Sequence, residues 1–139
     1  MAARDMALAQ AICEAVAMFD PSLILLGLSG SLMRKAAQNA GLIFASEVFA
    51  DRAYLPDGSL APRGKPGAVI EDMDVIARRV VRMAREGVVE AIDGTLVPIK
   101  ADSVCLHGDN PGAAAFAGKI RAALEREGVM LAPLREVVE

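Results

Sequence analysis

The sequence predicts an α/β fold in which helices cover a mostly parallel sheet. Short, nearly continuous apolar runs of strand length alternate with longer segments whose apolar residues recur at helical spacing. Continuous apolar runs are typical of strands buried on both faces, as in parallel sheets, and the alternation places the helices outside the sheet. With 139 residues, 54% of them apolar, the chain is long enough for one domain with a hydrophobic core.

Two helix–strand units precede residue 50. The first helix is expected to end at Asp20, because Pro21 disfavours helical geometry in the residue before it. Ser29 and Ser31 are suited to cap the second helix, and Gly41 is suited to end it. The predicted elements are a helix over residues 3–19, a strand over 23–26, a helix over 32–40 and a strand over 42–48.

The second part of the chain opens with a long loop. Residues 50–67 contain three prolines and three glycines, and a loop of this length inside a domain is usually functional or mobile. A helix then opens at Asp72 or Asp74 and ends at Gly87, and its apolar stripe includes one charged residue, Arg79. The remaining predicted elements are a hairpin turning at Asp93-Gly94 between strands over 88–92 and 95–99, a strand over 104–106, a helix over 111–127 and a final strand over 129–131.

Charge, cysteine content and hydropathy exclude several classes of function. The net charge of −3 and the absence of a basic cluster argue against nucleic-acid binding. Cys13 and Cys105 lie far apart inside apolar runs, which is typical of buried thiols rather than of a disulfide or a zinc site. No apolar stretch has the length needed to cross a membrane, and Asp5 and Glu14 interrupt the N-terminal one. We therefore expect no signal peptide and a cytoplasmic location.

The first candidate site is the segment 106–112, Leu-His-Gly-Asp-Asn-Pro-Gly. His107 is the only histidine and stands where a strand ends and a helix begins, and ligands of α/β folds bind outside the carboxyl ends of the strands. His107 can move a proton or bind a metal, Asp109 can orient it, and Gly108 lets the backbone approach a ligand. The alternative is that Asp109 or Asn110 only caps the helix and His107 has no ligand.

The second candidate site is the segment 47–54. Glu47 and Asp51 straddle the end of a predicted strand, again at the edge where ligands bind. Arg52 can hold a carboxylate or a phosphate through two parallel hydrogen bonds, and Tyr54, the only tyrosine, can orient a substrate through its hydroxyl. The alternative is that Asp51 and Arg52 form a local ion pair and that Tyr54 packs against the loop.

The third candidate is the part of the long loop that carries Arg63 and Lys65. Two cations between glycines and prolines are suited to a lid that binds phosphate or carboxylate groups. The spacing of the phosphate-binding loop, G-x-x-x-x-G-K-[ST], is absent. The residues alone therefore do not identify a nucleotide-binding motif here.

Three segments together carry a resemblance to a known family. They are residues 47–54 (EVFADRAY), 63–70 (RGKPGAVI) and 104–112 (VCLHGDNPG). They resemble the signature segments of the LamB/YcsF family, whose characterised members form the A subunit of the bacterial 5-oxoprolinase. The opening residues MAARDMALAQAI are similar to the stretch that follows a His-Gly motif in the family. Asn110 departs from the pattern, because the family usually has threonine there, although Asn also caps helices well.

The resemblance implies a fold and an activity. The fold is a seven-stranded β/α barrel of the glycoside hydrolase/deacetylase type. Family members are roughly twice as long as this chain, so the chain is expected to be a single domain (residues 1–139) that forms the C-terminal part of the barrel without its N-terminal half. The activity is an ATP-dependent opening of the 5-oxo-L-proline lactam to give L-glutamate, together with partner subunits B and C.

The resemblance also implies site residues. His107 is expected to move a proton or help hold a metal, with Asp109 orienting it, and Glu47 or Asp51 is expected to act as base or ligand. Arg52 is expected to bind the substrate carboxylate or a phosphate. A divalent metal is an open possibility. The other residues expected to bind substrate or ATP are Tyr54, Gly108, Asn110, Arg63 and Lys65.

Two alternatives of other classes remain at this stage. One is a metal-dependent, deacetylase-like hydrolase on the related barrel, but its site needs several histidines and carboxylates, and this chain has one histidine. The other is a non-catalytic fragment that folds with a partner chain or associates with itself, because an incomplete barrel leaves sheet edges and apolar faces open.

Overall fold

The predicted alternation of helices and strands is present in the computed structural model, which describes residues 1–107 and 113–138. The protein is an α/β fold with a parallel sheet and packed helices. Its elements are α1 (Met6–Phe19), β1 (Ile24–Leu28), α2 (Met33–Asn39), β2 (Ile43–Phe49), α3 (Met73–Glu86), β3 (Val88–Glu90), β4 (Leu96–Pro98), β5 (Ser103–Cys105), α4 (Ala113–Arg126) and α5 (Leu134–Val138).

Three of the strands form the parallel sheet, in the order β1-β2-β5. The register pairs Leu28 with Glu47 and Glu47 with Ser103, and it ends with Phe49 beside Cys105. The carboxyl ends of β2 and β5 therefore lie side by side. The residues that follow these two strands meet at one edge of the sheet, although they are far apart in the chain.

Helices and the hairpin bury one face of this sheet. Side chains alternate between the faces of a strand, so Phe44, Ser46 and Val48 share a face. Phe44 packs in the core between α1 and α2, and Val48 is fully buried in the core next to the β3–β4 hairpin. Glu47 and Phe49 belong to the opposite face, and their side chains are only partly buried.

The ends of the helices agree with the predicted signals at some positions and not at others. Asp72 caps α3, since its carboxylate accepts hydrogen bonds from the two backbone N–H groups of Asp74 and Val75. The predicted cap of α2 is wrong. Leu32 occupies the cap position with helical backbone angles, and no side chain caps the helix. The Ser29 hydroxyl instead accepts a hydrogen bond from the backbone of Lys100.

The predicted final strand over residues 129–131 is also wrong. Gly128 adopts a left-handed conformation (φ 77°), and the Val129 N–H then donates to the Leu124 carbonyl, which ends α4. Val129 packs against the core between α3 and α4, whereas Met130 is exposed. The apolar run thus belongs to a helix terminus, and α5 follows it. Within the residues described, no helix is both long and apolar enough to span a membrane.

Candidate functional site

Asp51 and His107 are in contact at the carboxyl edge of the sheet. Each stands two residues beyond one member of the paired positions Phe49 and Cys105, so the strand register brings them together. The His107 Nδ1 lies 2.8 Å from Asp51 Oδ2 and 3.0 Å from Oδ1. The carboxylate therefore binds one ring nitrogen and fixes the orientation of the imidazole.

The long loop supplies a third member of the site, Arg63. Its Nη2 lies 2.7 Å from the other ring nitrogen, Nε2, of His107. A guanidinium can only donate hydrogen bonds, so Nε2 must accept, and a neutral ring then carries its hydrogen on Nδ1 and donates it to Asp51. The geometry thus selects one tautomer of His107, in which the lone pair on Nε2 accepts from Arg63.

The pair is sheltered but accessible. The exposed fraction of the side chain is 25% for His107 and 16% for Asp51. The Phe49 ring lies beside the imidazole, with ring centroids 6.0 Å apart. A histidine held in this way can accept a proton at Nε2 while the carboxylate stabilises the imidazolium that forms.

The contact of Asp51 with His107 is one that the sequence does not predict. The sequence predicts that Asp109 orients His107, and in the described residues Asp51 has that contact. The contact between Asp51 and His107 cannot be predicted from their separation in the chain, because the two residues meet only through the pairing of β2 with β5. Asp109, Gly108 and Asn110 lie outside the described residues, so their predicted roles stay predictions.

Glu47 lies farther back on the same strand. Its carboxylate accepts a long hydrogen bond (3.5 Å) from the Ser103 hydroxyl of the neighbouring strand. Among the described residues no hydrogen bond joins Glu47 to Asp51 or His107. Its role as base or ligand therefore stays a prediction.

Cys105 lies between these acidic groups but is unsuited to act as a nucleophile. Burial, followed by the negative charges of Glu47 and Asp51, raises the pKa of the Cys105 thiol. A thiol that resists deprotonation is a weak nucleophile. The Cys105 thiol is therefore disfavoured as a nucleophile.

Arg52 and Tyr54, for which the sequence predicts binding of substrate or ATP, are buried and hydrogen-bonded to the backbone around them. Arg52 is 8% exposed and donates from Nη2 to the Ala61 carbonyl at 2.6 Å. Tyr54 is fully buried, and its hydroxyl accepts a hydrogen bond from the Phe49 N–H at 2.9 Å. Their roles in binding substrate or ATP stay predictions. The alternative ion pair of Asp51 with Arg52 is also absent from the described residues, because Asp51 binds His107.

The loop that carries Arg63 and Lys65 is folded rather than open. Two isolated bridges, Arg52 with Val69 and Tyr54 with Leu60, fold residues 52–69 back on themselves. A small core of buried alanines lies inside the fold. The loop thereby carries Arg63 to His107, while Lys65 is exposed and its role in binding phosphate stays a prediction.

The donor set at this edge does not fit a metal ion by itself. Asp51 and His107 offer one carboxylate and one imidazole. Among the residues described, no group of three or more His, Cys, Asp or Glu side chains has an arrangement that could hold a metal. The described residues are thus one ligand or more short of a metal centre, and no step of the proposed reaction depends on one.

The fold and this edge define an α/β protein with an Asp–His pair at the carboxyl ends of parallel strands. The model of the LamB/YcsF family matches residues 1–139, and the chain belongs to that family. It is 51% identical over 131 residues to the A subunit of 5-oxoprolinase from Pyrococcus abyssi, covering 94% of this chain and 51% of the relative. It is 50% identical to that of Clostridium beijerinckii, covering 99% of this chain and 54% of the relative.

A solved structure also resembles this chain over about half of its own length. The structure described as a lactam utilization protein from Thermus thermophilus superposes with a TM-score of 0.84 at 46% sequence identity. The superposition covers 94% of this chain and 51% of that one. The chain thus spans about half the length of the relatives that it matches.

Proposed function

We propose that this chain carries the proton-transfer pair of a 5-oxoprolinase A subunit, a hydrolase component that opens the lactam of 5-oxo-L-proline to L-glutamate with hydrolysis of ATP. The observation that carries the proposal is the chain of contacts from Asp51 through His107 to Arg63 at the carboxyl edge of the sheet. Relatives that are 50–51% identical to this chain over the matched half of their length are named for this activity, which supports the choice of substrate.

The chemistry explains why such a pair is needed. An unstrained lactam is a poor electrophile, and phosphorylation of its carbonyl oxygen by ATP makes the ring carbon more reactive. Water adds to that carbon, the C–N bond breaks as the ring nitrogen takes a proton, and the acyl phosphate that results is hydrolysed to L-glutamate and phosphate. The attacking water must then lose a proton, and Nε2 of His107 is the basic atom positioned to take it. Asp51 holds the ring in the required tautomer and stabilises the positive charge.

Arg63 has two roles in this proposal. In the structure it donates a hydrogen bond to Nε2, so the Nε2 lone pair is occupied while no substrate is bound. The carboxylate of 5-oxoproline, or a phosphoryl group, competes for the same guanidinium because charged acceptors bind it more strongly than a neutral imidazole. Binding of the substrate would then draw Arg63 away from Nε2, with Lys65 adding a second positive charge on the same loop.

We further propose that the chain is one part of a β/α barrel of the glycoside hydrolase/deacetylase type. Two observations support this. The sheet has free edges at β1 and β5 among the described residues, and Leu26, which shares a face with Glu47, is 42% exposed. A segment equivalent to the other half of the relatives would pair with these edges and complete the site.

The relatives are named as one lettered subunit of their enzyme, which implies further subunits. We therefore assign partner subunits B and C to the complete enzyme. A cytoplasmic location fits the use of ATP as co-substrate.

The experiment combines this chain with two other components. One is the part of a relative's A subunit that this chain does not match, and the other is the pair of partner subunits B and C. ATP-dependent release of glutamate from 5-oxoproline is measured, and co-elution of the two halves is followed by size-exclusion chromatography. We expect release only in the complete mixture, and a loss on the order of 10²–10⁴-fold in His107→Ala. The matched control is Arg121→Ala, an exposed residue of α4 that pairs with Glu125, and it should keep the full rate. Full release by His107→Ala would contradict the proposal.

A further inference from the structure

Arg79 is a charged residue in the buried stripe of α3. Its neighbours in the stripe, Ile76, Val80 and Met83, are at most 1% exposed. The guanidinium lies over the ring of Tyr54, with 5.6 Å between Cζ and the ring centroid. A stacked position of this kind fixes the planar group more firmly than a surface position does.

The Arg79 guanidinium binds the backbone on both sides of Asp51. Its Nη1 donates to the Ala50 carbonyl at 3.2 Å and to the Arg52 carbonyl at 2.9 Å. Asp51 lies between these two carbonyls, and its own carbonyl accepts a hydrogen bond from the Ile70 N–H at 2.8 Å. Three consecutive peptide groups around the carboxylate are therefore held in place.

The same segment is attached at its start to the strand that leads to His107. The Ala50 N–H donates to the Cys105 carbonyl at 3.1 Å, and the Tyr54 hydroxyl accepts from the Phe49 N–H. Arg79 and Tyr54, stacked on each other, thus tie together the turn that places the Asp51 carboxylate against His107. Burial lowers the pKa of the Arg79 guanidinium, and the charge of Asp51 is among the smaller effects that act to raise it.

We propose that Arg79 is a positioning residue for the proton-transfer pair. By clamping the carbonyls of Ala50 and Arg52, it sets Asp51 against Nδ1 of His107 and so keeps the ring in the tautomer with its lone pair on Nε2. The role in catalysis rests on the proposed function, whereas the role in positioning can be measured without any activity.

The test uses the single histidine of the chain as a reporter. The ¹⁵N chemical shifts of the His107 ring give the ratio of its two neutral tautomers. In the wild-type chain we expect the Nδ1–H form to dominate. In Arg79→Gln and Arg79→Lys the Nε2–H form should rise about fivefold, since both side chains are shorter than arginine and end before the position from which Nη1 binds both carbonyls.

The matched control is Arg82→Gln, on the same helix. Arg82 pairs with Glu86 and Glu90 rather than with the turn, and the substitution should leave the ratio unchanged. A wild-type ratio in folded Arg79→Gln and Arg79→Lys would overturn the proposal. Loss of the fold in both variants would overturn it as well, because Arg79 would then be a structural residue only. A shifted ratio in a chain without 5-oxoprolinase activity would retain Arg79 as a positioning residue and would remove the proposed function.

Discussion

At the scale of single residues, the hydrogen-bond capacities of three side chains decide the state of the site. Arg63 can only donate and the Asp51 carboxylate can only accept, so the neutral ring of His107 between them has one arrangement of its hydrogen. Asp51 therefore sets the tautomer of His107, although it contacts Nδ1 and not the Nε2 atom that would take the proton.

The residue-scale prediction concerns Asp51→Asn. An amide at this position can donate as well as accept, so it can stabilise the wrong tautomer of His107 and cannot stabilise the imidazolium. We expect the rate of glutamate release to fall by a factor on the order of 10²–10⁴, with little change in the KM for 5-oxoproline. Asp57→Asn is the control, since Asp57 is exposed and pairs with Arg4. A rise in KM with an unchanged rate would show that Asp51 binds substrate instead.

At the scale of elements, the turn after β2 has no regular secondary structure, and side chains of Tyr54 and Arg79 bind its backbone. Tyr54 is its central residue, because it is fully buried and carries the Arg79 guanidinium on its ring. Burial raises the pKa of the Tyr54 hydroxyl above its ordinary value near 10, despite the neighbouring arginines. The folded state therefore disfavours ionised Tyr54.

This shift predicts how stability depends on pH. A group whose pKa is raised by folding stabilises the protein below its unfolded pKa and loses that contribution as the pH rises through the folded value. The free energy of unfolding of the wild type should thus decline above about pH 10, whereas Tyr54→Phe should lack this component. Tyr54→Phe should also be less stable at neutral pH by about 1–3 kcal/mol, since the Phe49 N–H loses its partner. Urea unfolding at several pH values measures both effects.

The control for this prediction is Ser59→Ala, which removes a partly exposed hydroxyl that bonds to the exposed Asp57. Its effect on stability should be small at every pH. Parallel pH profiles for the wild type and Tyr54→Phe would contradict the central place of Tyr54 in the turn.

Much of the fold is predictable from sequence because local signals are sufficient for it. Helical periodicity places α1 and α3, and the Asp93-Gly94 turn places the hairpin, whose turn is closed by the hydrogen bond from the Ala91 N–H to Thr95. The strand predicted at residues 129–131 failed because periodicity cannot distinguish a short apolar run at a helix end from a strand.

The site is less predictable, because its contacts depend on strand register. His107 and Asp51 can both be picked as polar residues after strands, but their contact follows from the pairing of Phe49 with Cys105. Tyr54 and Arg52 look like ligand-binding residues in sequence, and the folded loop turns them inward. Arg79 carries one sequence signal, a charge within an apolar helical stripe, and that signal alone does not say which groups the charge contacts.

At the scale of the whole molecule, the sheet brings together only one side of a site. The carboxyl ends of β2 and β5 supply the Asp–His pair, and the loop supplies Arg63. Among the described residues, the edges of β1 and β5 are free to pair with further strands. Under the proposed function, this chain carries out proton transfer, and segments outside it supply the remainder of the substrate site.

The central claim is that His107 transfers the proton during opening of the lactam. The most direct measurement is the rate of glutamate release by His107→Ala, in the complete mixture of halves and partner subunits, as imidazole is added. We predict that imidazole restores part of the lost rate in proportion to its concentration and does not stimulate the Arg121→Ala control. Release at the wild-type rate by His107→Ala without imidazole would contradict the claim.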